Sequence, residues 1–250
     1  VNTGAILAMV TTDGYDLNNP YELSAKDKKK IKSTPKKKQA EAESAALSAM
    51  WRNKAVADTY MPGSVFKMCV ASAALEENLV NDKTSFTCTG SIEVEGETLH
   101  CSNTEGHGTQ SFVEAISNSC NPAFVQIGQM LGASKFRQYY QGFGFSDKTG
   151  IDLPGEAEDS FWKEGKMGGV DLAVASFGQN FSITPIQMIT ACAAVSNGGY
   201  VVQPHVVSKI TDSKGNVIKT VDKKIKRQVI SDDTSKKMNE YLEYNTERQG

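Results

Sequence analysis

A serine and a lysine three residues apart, Ser64 and Lys67, are the first candidates for chemistry in this chain. They lie in the segment MPGSVFKMCVASAALEE (61–77), in which nearly every residue from 65 to 75 is small or apolar. That pattern predicts a helix buried on all sides. Residues three apart share a helix face, so the hydroxyl and the amine can touch. Burial disfavours the ammonium form and therefore predicts a lowered pKa for Lys67.

Such a pair can form an activated nucleophile. A neutral Lys67 amine can take the Ser64 proton near pH 7. Pro62 and Gly63 interrupt the preceding chain and place Ser64 at the helix N-terminus, where free N–H groups and the dipole stabilise developing negative charge. The alternative is structural: Ser64 caps the helix and Lys67 extends its amine to solvent. The Ser-x-x-Lys pattern is common and does not separate the two by itself.

A second group of reactive side chains contains three cysteines and a histidine: Cys88, Cys101, His107 and Cys120. Cys88 and Cys101 bracket the period-two pattern and Glu-Gly-Glu turn of 84–101, which predict a hairpin that brings the two thiols together. A Cys₃His set suits a tetrahedral structural Zn²⁺ that would position nearby side chains. Three alternatives stay open: unligated core thiols, a Cys88–Cys101 disulfide in an oxidising compartment, and a His107 that only caps the hairpin turn.

Composition limits the function class. With 250 residues and 39% hydrophobic content, the chain can bury a core of the size expected for one large domain. The formal net charge of −2 argues against a nucleic-acid-binding protein. No apolar run of about 18 residues and no signal peptide is present, so the sequence predicts neither a membrane span nor an export signal. The opening VNTGAILAMVTTDG suggests an excised domain entered from upstream.

Positive charge is nevertheless concentrated in one stretch. Eight of the lysines lie in KDKKKIKSTPKKK (26–38), which has no apolar periodicity and contains a proline. These features predict a solvated or mobile loop, a Lys-rich insert over 24–39. The alternative is a polybasic segment that contacts anionic lipid or an acidic polymer.

Local patterns predict the elements that must position these side chains. We expect a core strand over 1–12 and a hairpin with a Lys-Gly-Asn turn over 203–221. The expected helices cover 40–50, 111–118, 122–131, 185–197 and 232–245.

The wider sequence carries a resemblance to a known family. DTYMPGSVFK around Ser64 is followed by NSCNPAFVQIG around Ser119 and Asn121. The flanking stretches GAILAMVTTDGYDLNNP, MWRNKAVADTYMPGS, FGFSDKTGIDLPGE and SFGQNFSITPIQMITACAAVSNGG follow in the family's order. Over nearly its whole length the chain resembles the transpeptidase domain of class B penicillin-binding proteins, and is most similar to members that act in sporulation. The resemblance implies an α/β (α+β) fold of the serine β-lactamase type, mainly antiparallel sheet flanked by helices, with a helical subdomain.

The resemblance also implies an acyl transfer on peptidoglycan stem peptides. Ser64 would attack the D-Ala-D-Ala amide with Lys67 as its base, and β-lactams would be trapped at the same step. Ser119 would relay protons toward the leaving amine, and Asn121 would hydrogen-bond the acyl-side amide. Ser119 and Asn121 could also be a turn that caps the helix beginning near Pro122. This chemistry needs no cofactor.

The resemblance also implies a cellular role, a partner and a location. The role is spore cortex synthesis, and the partner is a membrane glycosyltransferase of the shape, elongation, division and sporulation type. The location is the extracytoplasmic face of the cell membrane. Two other functions stay open: a β-lactam or D,D-peptide hydrolase, and a non-catalytic penicillin sensor or scaffold.

The family's third motif, Lys-Thr-Gly, is expected to be missing. The triplet at 148–150 matches its letters but runs directly into Pro154 and Gly155, which break a long inner strand. No other copy follows SITPIQM up to Gly250. We therefore expect 1–250 to be a transpeptidase domain without the C-terminal strands that carry this motif. Losing one oxyanion donor alone costs about 10²–10³ in rate, so this chain by itself is expected to be weakly active or inactive.

Overall fold

The computed structural model describes residues 1–12, 14–157 and 160–249. In these ranges the chain combines helices with short antiparallel strand pairs. The helices are α1 (Ala25–Ser33), α2 (Gln39–Trp51), α3 (Lys54–Ala57), α4 (Lys67–Glu76), α5 (Phe112–Ser117), α6 (Asn121–Gly142), α7 (Gly169–Ala175), α8 (Pro185–Ser196) and α9 (Asp232–Gln249). The strands are β1 (Ser85–Cys88), β2 (Ser91–Val94), β3 (Glu97–His100), β4 (Gly108–Ser111), β5 (Tyr200–Val202), β6 (Lys209–Thr211), β7 (Val217–Thr220) and β8 (Ile225–Gln228).

Helix α4 lies at the centre of the main core. Its residues 69–75 are all buried, as the apolar pattern predicts, but Val65, which the same pattern placed in the buried helix, lies in the preceding 3₁₀ segment and is 47% exposed. The helix packs against α6, α8 and α9. Just before it, the ring of Phe66 contacts those of Phe136, Tyr140, Phe145 and Phe181. Close packing on every side fixes the helix that carries Lys67.

The strands pair as β1–β4, β2–β3, β5–β8 and β6–β7, all antiparallel. The predicted turn between β2 and β3 is present, with positive φ at Glu95 (51°) and Gly96 (88°), the combination a type I′ hairpin turn requires. The β1–β4 ladder places Cys88 opposite Gly108, so the loop after β3 returns to the end of β1. The mixed helix and strand class is confirmed.

The expected core strand over 1–12 is wrong for this structure. The segment makes a single bridge, Ala5 with His205, and Leu7 and Val10 are almost fully exposed. A strand needs a partner along its length, and among the described residues only this short contact supplies one.

The Lys-rich stretch is helical, so the expected loop is wrong. Helix α1 begins at a capping serine, Ser24, whose hydroxyl accepts a hydrogen bond from the Asp27 backbone N–H. Lysine is a good helix former, which explains why charge without apolar periodicity still gave a helix. No residue of α1 is buried, so the predicted solvation is confirmed, while the mobility stays a prediction.

The other expected elements form close to their predicted positions as α2, α5, α8, α9 and the β6–β7 hairpin. The helix expected over 122–131 ends where predicted, because Gly132 (φ 73°, ψ 157°) has a non-helical backbone, and a second helical segment of α6 follows it up to Gly142. No helix in the described part of the chain has the length and apolar character needed to cross a bilayer.

Candidate active site

Ser64 lies in the 3₁₀ segment Gly63–Phe66, directly before α4. Its side chain is exposed and makes no hydrogen bond to another described residue, so the contact with the Lys67 amine that the spacing allows is not made in this structure. The backbone beside it is held by a bond from Gly63 N–H to the Gly178 carbonyl, 2.8 Å long. Gly178 has φ +82°, and a Cβ there would overlap the Gly63 backbone, so only glycine permits this approach. The structural alternative for Ser64 is not found, since neither the 3₁₀ segment nor α4 has a side-chain cap.

Lys67 is buried and connects the two sequence motifs. Its Nζ donates to the Ser119 carbonyl (2.6 Å), to Ser119 Oγ (3.0 Å) and to Asn121 Oδ1 (2.7 Å). Only 4% of the residue is exposed, so its amine does not reach solvent. Burial lowers the pKa of Lys67 to about 8, against an opposing effect of Cys101 and Cys120. An amine with this pKa can act as a base near neutral pH.

The turn between α5 and α6 presents Ser119 and Asn121 to this amine. Ser119 adopts a left-handed conformation (φ 49°), which costs about 1–2 kcal/mol for a residue with a Cβ. Asn121 Nδ2 donates to the His100 carbonyl at 3.0 Å, which fixes the orientation of the amide. Cys120 occupies the N-cap position of α6 without a side-chain cap bond. The polar side chains of the turn therefore face Lys67 and do not cap the helix.

Cys88, Cys101, His107 and Cys120 converge beside this turn. Their ligand atoms all lie within 4.8 Å of one another, and Cys101 Sγ is 3.6 Å from His107 Nδ1. The edges of a zinc tetrahedron with bonds of about 2.3 Å are about 3.8 Å long, close to this spacing. All three cysteines are buried free thiols, so Cys88 and Cys101 are not joined. The group could hold a metal ion, and the predicted approach of Cys88 to Cys101 is confirmed.

Hydrogen-bond donors lie beside two of the sulfur atoms. Burial raises the pKa of the Cys101 thiol, but the backbone N–H groups of Asn103 and Asn121, together with the Cys88 and Cys120 side chains, outweigh it and the pKa is lowered. Burial raises the pKa of Cys120 to about 12, opposed by the Ala123 backbone N–H and the Gln110 side chain. Donors aimed at sulfur are what metal-bound thiolates use in their outer shell.

Gln110 provides an independent test of this fit. It is 3% exposed, and its Oε1 accepts a hydrogen bond from Asn118 Nδ2 at 2.9 Å. Its Nε2 is buried with no hydrogen-bond partner among the described residues, and it lies beside the Cys120 thiol. A buried donor without a hydrogen-bond partner lowers the stability of the fold, whereas a thiolate at this position would accept a hydrogen bond from it.

Sequence reasoning missed Gln110 and Gly178. Gln110 lies on the inward face of β4, opposite Phe86, and only the β1–β4 pairing makes that position visible. Gly178 belongs to the stretch SFGQN, which the sequence marked only as part of a longer pattern. The triplet at 148–150 is in an irregular loop: Glu156 accepts from the Thr149 hydroxyl, and Lys226 donates to the carbonyl of Lys148.

Comparison with known proteins places the chain in a family. The sequence profile of the penicillin binding protein transpeptidase domain matches residues 1–250. The chain belongs to this family. It is 42% identical to Stage V sporulation protein D of Bacillus subtilis, over 82% of this chain and 32% of that protein. It is 28% identical to Peptidoglycan D,D-transpeptidase PbpA of Mycobacterium tuberculosis, over 96% of this chain and 48% of that protein.

Solved structures agree with the fold. Penicillin-binding protein A of M. tuberculosis, in its imipenem acyl-enzyme complex, matches with a TM-score of 0.78 at 26% identity, covering 96% of this chain and 54% of that one. The serine transpeptidase fold and the class B family expected from the sequence are thereby confirmed. The chain spans about a third to a half of the length of the curated relatives described above.

Proposed function

We propose that the protein is a peptidoglycan D,D-transpeptidase that forms an acyl-enzyme on Ser64. The observation that carries the proposal is the buried Lys67 amine, one helical turn from Ser64 and hydrogen-bonded to both Ser119 and Asn121. A serine ester intermediate needs a nucleophile, a base and a donor for the departing nitrogen, and this group supplies all three. Two relatives carry names of peptidoglycan transpeptidases or sporulation proteins, which supports the same reaction.

The geometry suggests a role for each side chain. The three hydrogen bonds that Lys67 donates describe its ammonium form, so the amine must first lose one proton. The neutral amine then removes the Ser64 proton as Oγ attacks the penultimate D-Ala carbonyl of the stem peptide. Ser119, 3.0 Å from Lys67 Nζ, passes a proton to the leaving D-Ala nitrogen and regains one from the lysine. Asn121 Nδ2 uses one N–H on the His100 carbonyl and keeps the other for the acyl-side amide. An amine from a second stem peptide then takes the acyl group and restores Ser64.

Acylation by a fluorescent penicillin tests the proposal. Ser64→Ala in the full-length protein is expected to abolish covalent labelling, because no other group replaces Oγ. Ser72→Ala is the matched control, since Ser72 lies on the same helix but its hydroxyl donates to the Met68 carbonyl. Mass spectrometry should place the adduct on Ser64. Labelling that survives Ser64→Ala would contradict the proposal, and fast release of the bound penicillin would indicate a hydrolase.

The acylation rate is expected to depend on pH through Lys67. The base is the neutral amine, so the rate should rise about tenfold per pH unit below pH 8 and level off above it. Initial labelling rates between pH 6 and 10, on protein shown to be folded by circular dichroism, measure this. A profile that keeps rising toward the ordinary lysine pKa would contradict a buried Lys67 base.

The cellular role is also a proposal. The similarity to Stage V sporulation protein D supports a role in sporulation. The proposal further includes spore cortex synthesis, a membrane glycosyltransferase partner of the shape, elongation, division and sporulation type, and action at the extracytoplasmic face of the membrane. A Ser64→Ala allele in an endospore-forming host should produce spores without normal cortex. Normal cortex in that strain would instead favour a scaffold. The weak activity expected of residues 1–250 alone stays a prediction.

We further propose that Cys88, Cys101, His107 and Cys120 bind one structural Zn²⁺. The Asn121 N–H beside Cys101 Sγ and the position of Cys120 between Ser119 and Asn121 would couple the ion to the catalytic turn. A bound ion of this kind would supply rigidity and no activated water. Elemental analysis of protein purified without added metal or chelator should give about one zinc per chain. Folded, zinc-free protein, or a Cys88–Cys101 disulfide in its mass spectrum, would contradict the site.

A further inference from the structure

The lysines of the stretch 26–38 are poorly neutralised. All eight are exposed, and among the described residues only Lys28 has an ion-pair partner, Glu22 at 3.2 Å. The chain as a whole carries a formal net charge of −2, so acidic residues outnumber basic ones elsewhere. Unpaired like charges held this close repel one another, and a polyanionic ligand would relieve that repulsion.

A groove of about 910 Å³ lies against this stretch, between α1, α2 and residues 11, 12 and 14–16. We call it the Lys-rich groove. Its floor is formed by small apolar side chains of α2: Ala42, Ala45, Ala46 and Ala49. A groove lined by small apolar side chains and by charged side chains suits an extended ligand that has flat apolar faces and ionised groups.

The uncommitted charge at the Lys-rich groove is positive. Among its acidic residues, Asp16 accepts from Asn18 and Asn19, Asp27 accepts from the Ser24 hydroxyl, and Glu22 pairs with Lys28. The side-chain amines of Lys26, Lys30 and Lys54 have no hydrogen-bond or ion-pair partner in the described part of the chain. They outnumber Asp16 and Asp27, the two lining carboxylates that no described cation pairs, so the groove favours carboxylates or other anions.

Two exposed aromatic residues are sequence neighbours of residues that line the Lys-rich groove. Tyr21 and Trp51 meet edge to face at 5.3 Å, and the Trp51 Nε1–H donates to the Pro20 carbonyl at 2.6 Å. The neighbours Glu22, Met50 and Arg52 all line the groove. Tyr21 is 72% exposed. Rigid amphipathic rings at a solvated surface provide contact area with little loss of side-chain conformational entropy on binding. The C–H faces of sugar rings can pack on such rings.

We propose that the Lys-rich groove binds an anionic glycan–peptide strand of peptidoglycan, apart from the catalytic site. Lys26, Lys30 and Lys54 hold carboxylates of the stem peptides, and Tyr21 and Trp51 contact the glycan. The inference rests on the proposed function, because it assigns a second contact to the polymer on which Ser64 acts. The groove would bind the strand whether or not a stem peptide occupies the acylation site at Ser64.

A polymer strand fits better than an anionic bilayer. A helix that lies on a membrane inserts an apolar face, and the only large apolar side chain of α1, Ile31, lines the groove. The lysines, by contrast, are exposed. The site is also concave, which suits a chain more than a flat lipid surface.

Binding of soluble, uncross-linked peptidoglycan strands to the full-length Ser64→Ala protein tests the proposal. Removing the nucleophile limits the signal to non-covalent binding. The triple variant Lys26→Gln, Lys30→Gln, Lys54→Gln is expected to raise the Kd at least tenfold. The triple Lys→Arg variant at the same positions should keep the Kd of the protein with its native lysines. The matched control carries Lys214→Gln, Lys219→Gln and Lys224→Gln, which remove the same charge from exposed positions around the β6–β7 hairpin. Unchanged Kd in the first variant, or an equal loss in the control, would overturn the site.

Two further arms identify the ligand and separate this inference from the proposed function. The polymer assignment would be overturned if vesicles with anionic headgroups bound through the same lysines and glycan strands did not. It would also be overturned if the protein bound polyglutamate of matched charge with equal affinity. Penicillin labelling of Ser64 in the triple Lys→Gln protein should equal that of wild type. Normal labelling without lysine-dependent strand binding refutes the groove alone. Lysine-dependent binding in a protein that penicillin does not label refutes the transpeptidase alone.

Discussion

Lys67→Arg is expected to lower the second-order rate of penicillin acylation by about 10²–10⁴, the usual contribution of a positioned general base. Arginine keeps a cation and several donors for Ser119 and Asn121, but the guanidinium cannot lose its proton near neutral pH. It can therefore preserve the hydrogen bonds of Lys67 without its basicity. Stopped-flow or gel-based labelling with a fluorescent penicillin measures the effect.

Two controls make this result interpretable. Lys135→Arg changes an exposed lysine that pairs with Glu77 and should leave the labelling rate unchanged. Thermal melting must show that the Lys67→Arg protein is folded, because Lys67 is buried and arginine is larger. A folded Lys67→Arg protein that is labelled within tenfold of the wild-type rate would exclude Lys67 as the base.

Cys101→Ser is expected to remove bound zinc and to lower both stability and acylation. Loss of a metal ligand belongs to the few substitutions that cost several kcal/mol, and each kcal/mol lowers Tm by about 2–4 °C in a chain of this size. Acylation should fall with it, because the Asn121 N–H lies against Cys101 and Cys120 lies between Ser119 and Asn121. Zinc content, Tm and penicillin labelling of the same preparation test the prediction together.

Cys192→Ser serves as the control for Cys101→Ser. Cys192 is a free, half-buried cysteine on α8 and is not a member of the Cys₃His group. The Cys192→Ser protein should have the zinc content, the Tm and the penicillin labelling rate of the wild-type protein. Equal zinc content in the Cys101→Ser and wild-type proteins, or zinc loss with unchanged Tm and labelling, would show that the ion does not support the catalytic turn.

The sequence specified the local elements and the composition of the site. The apolar segment 65–75 predicted a buried helix, and Ser64 and Lys67 lie at its start. The alternation of 84–101 with its Glu-Gly-Glu turn predicted the approach of Cys88 and Cys101. Helix periodicity and turn chemistry are local properties, so they can be recognised from neighbouring residues alone.

Sequence patterns failed in two segments, for different reasons. The β-branched and apolar residues of 1–12 predicted a strand, but a strand forms only with a partner, and the described structure gives this segment little more than His205. The Lys-rich stretch lacked apolar periodicity and was expected to be a loop. Lysine propensity and the Ser24 cap made it helical in contact with α2.

Tertiary structure alone decided how the candidate groups are connected. Lys67 and Asn121 are 54 positions apart, and their 2.7 Å hydrogen bond exists because α4 packs against α6. The direction of Gln110 toward Cys120 follows from the β1–β4 register, and the backbone contact of Gly178 with Gly63 follows from the packing of the loop after α7. Residue types and spacing determine which chemistry a chain can perform. Bringing an amine, a hydroxyl and an amide to within 3 Å requires long-range packing, whose energy is not a property of any short segment.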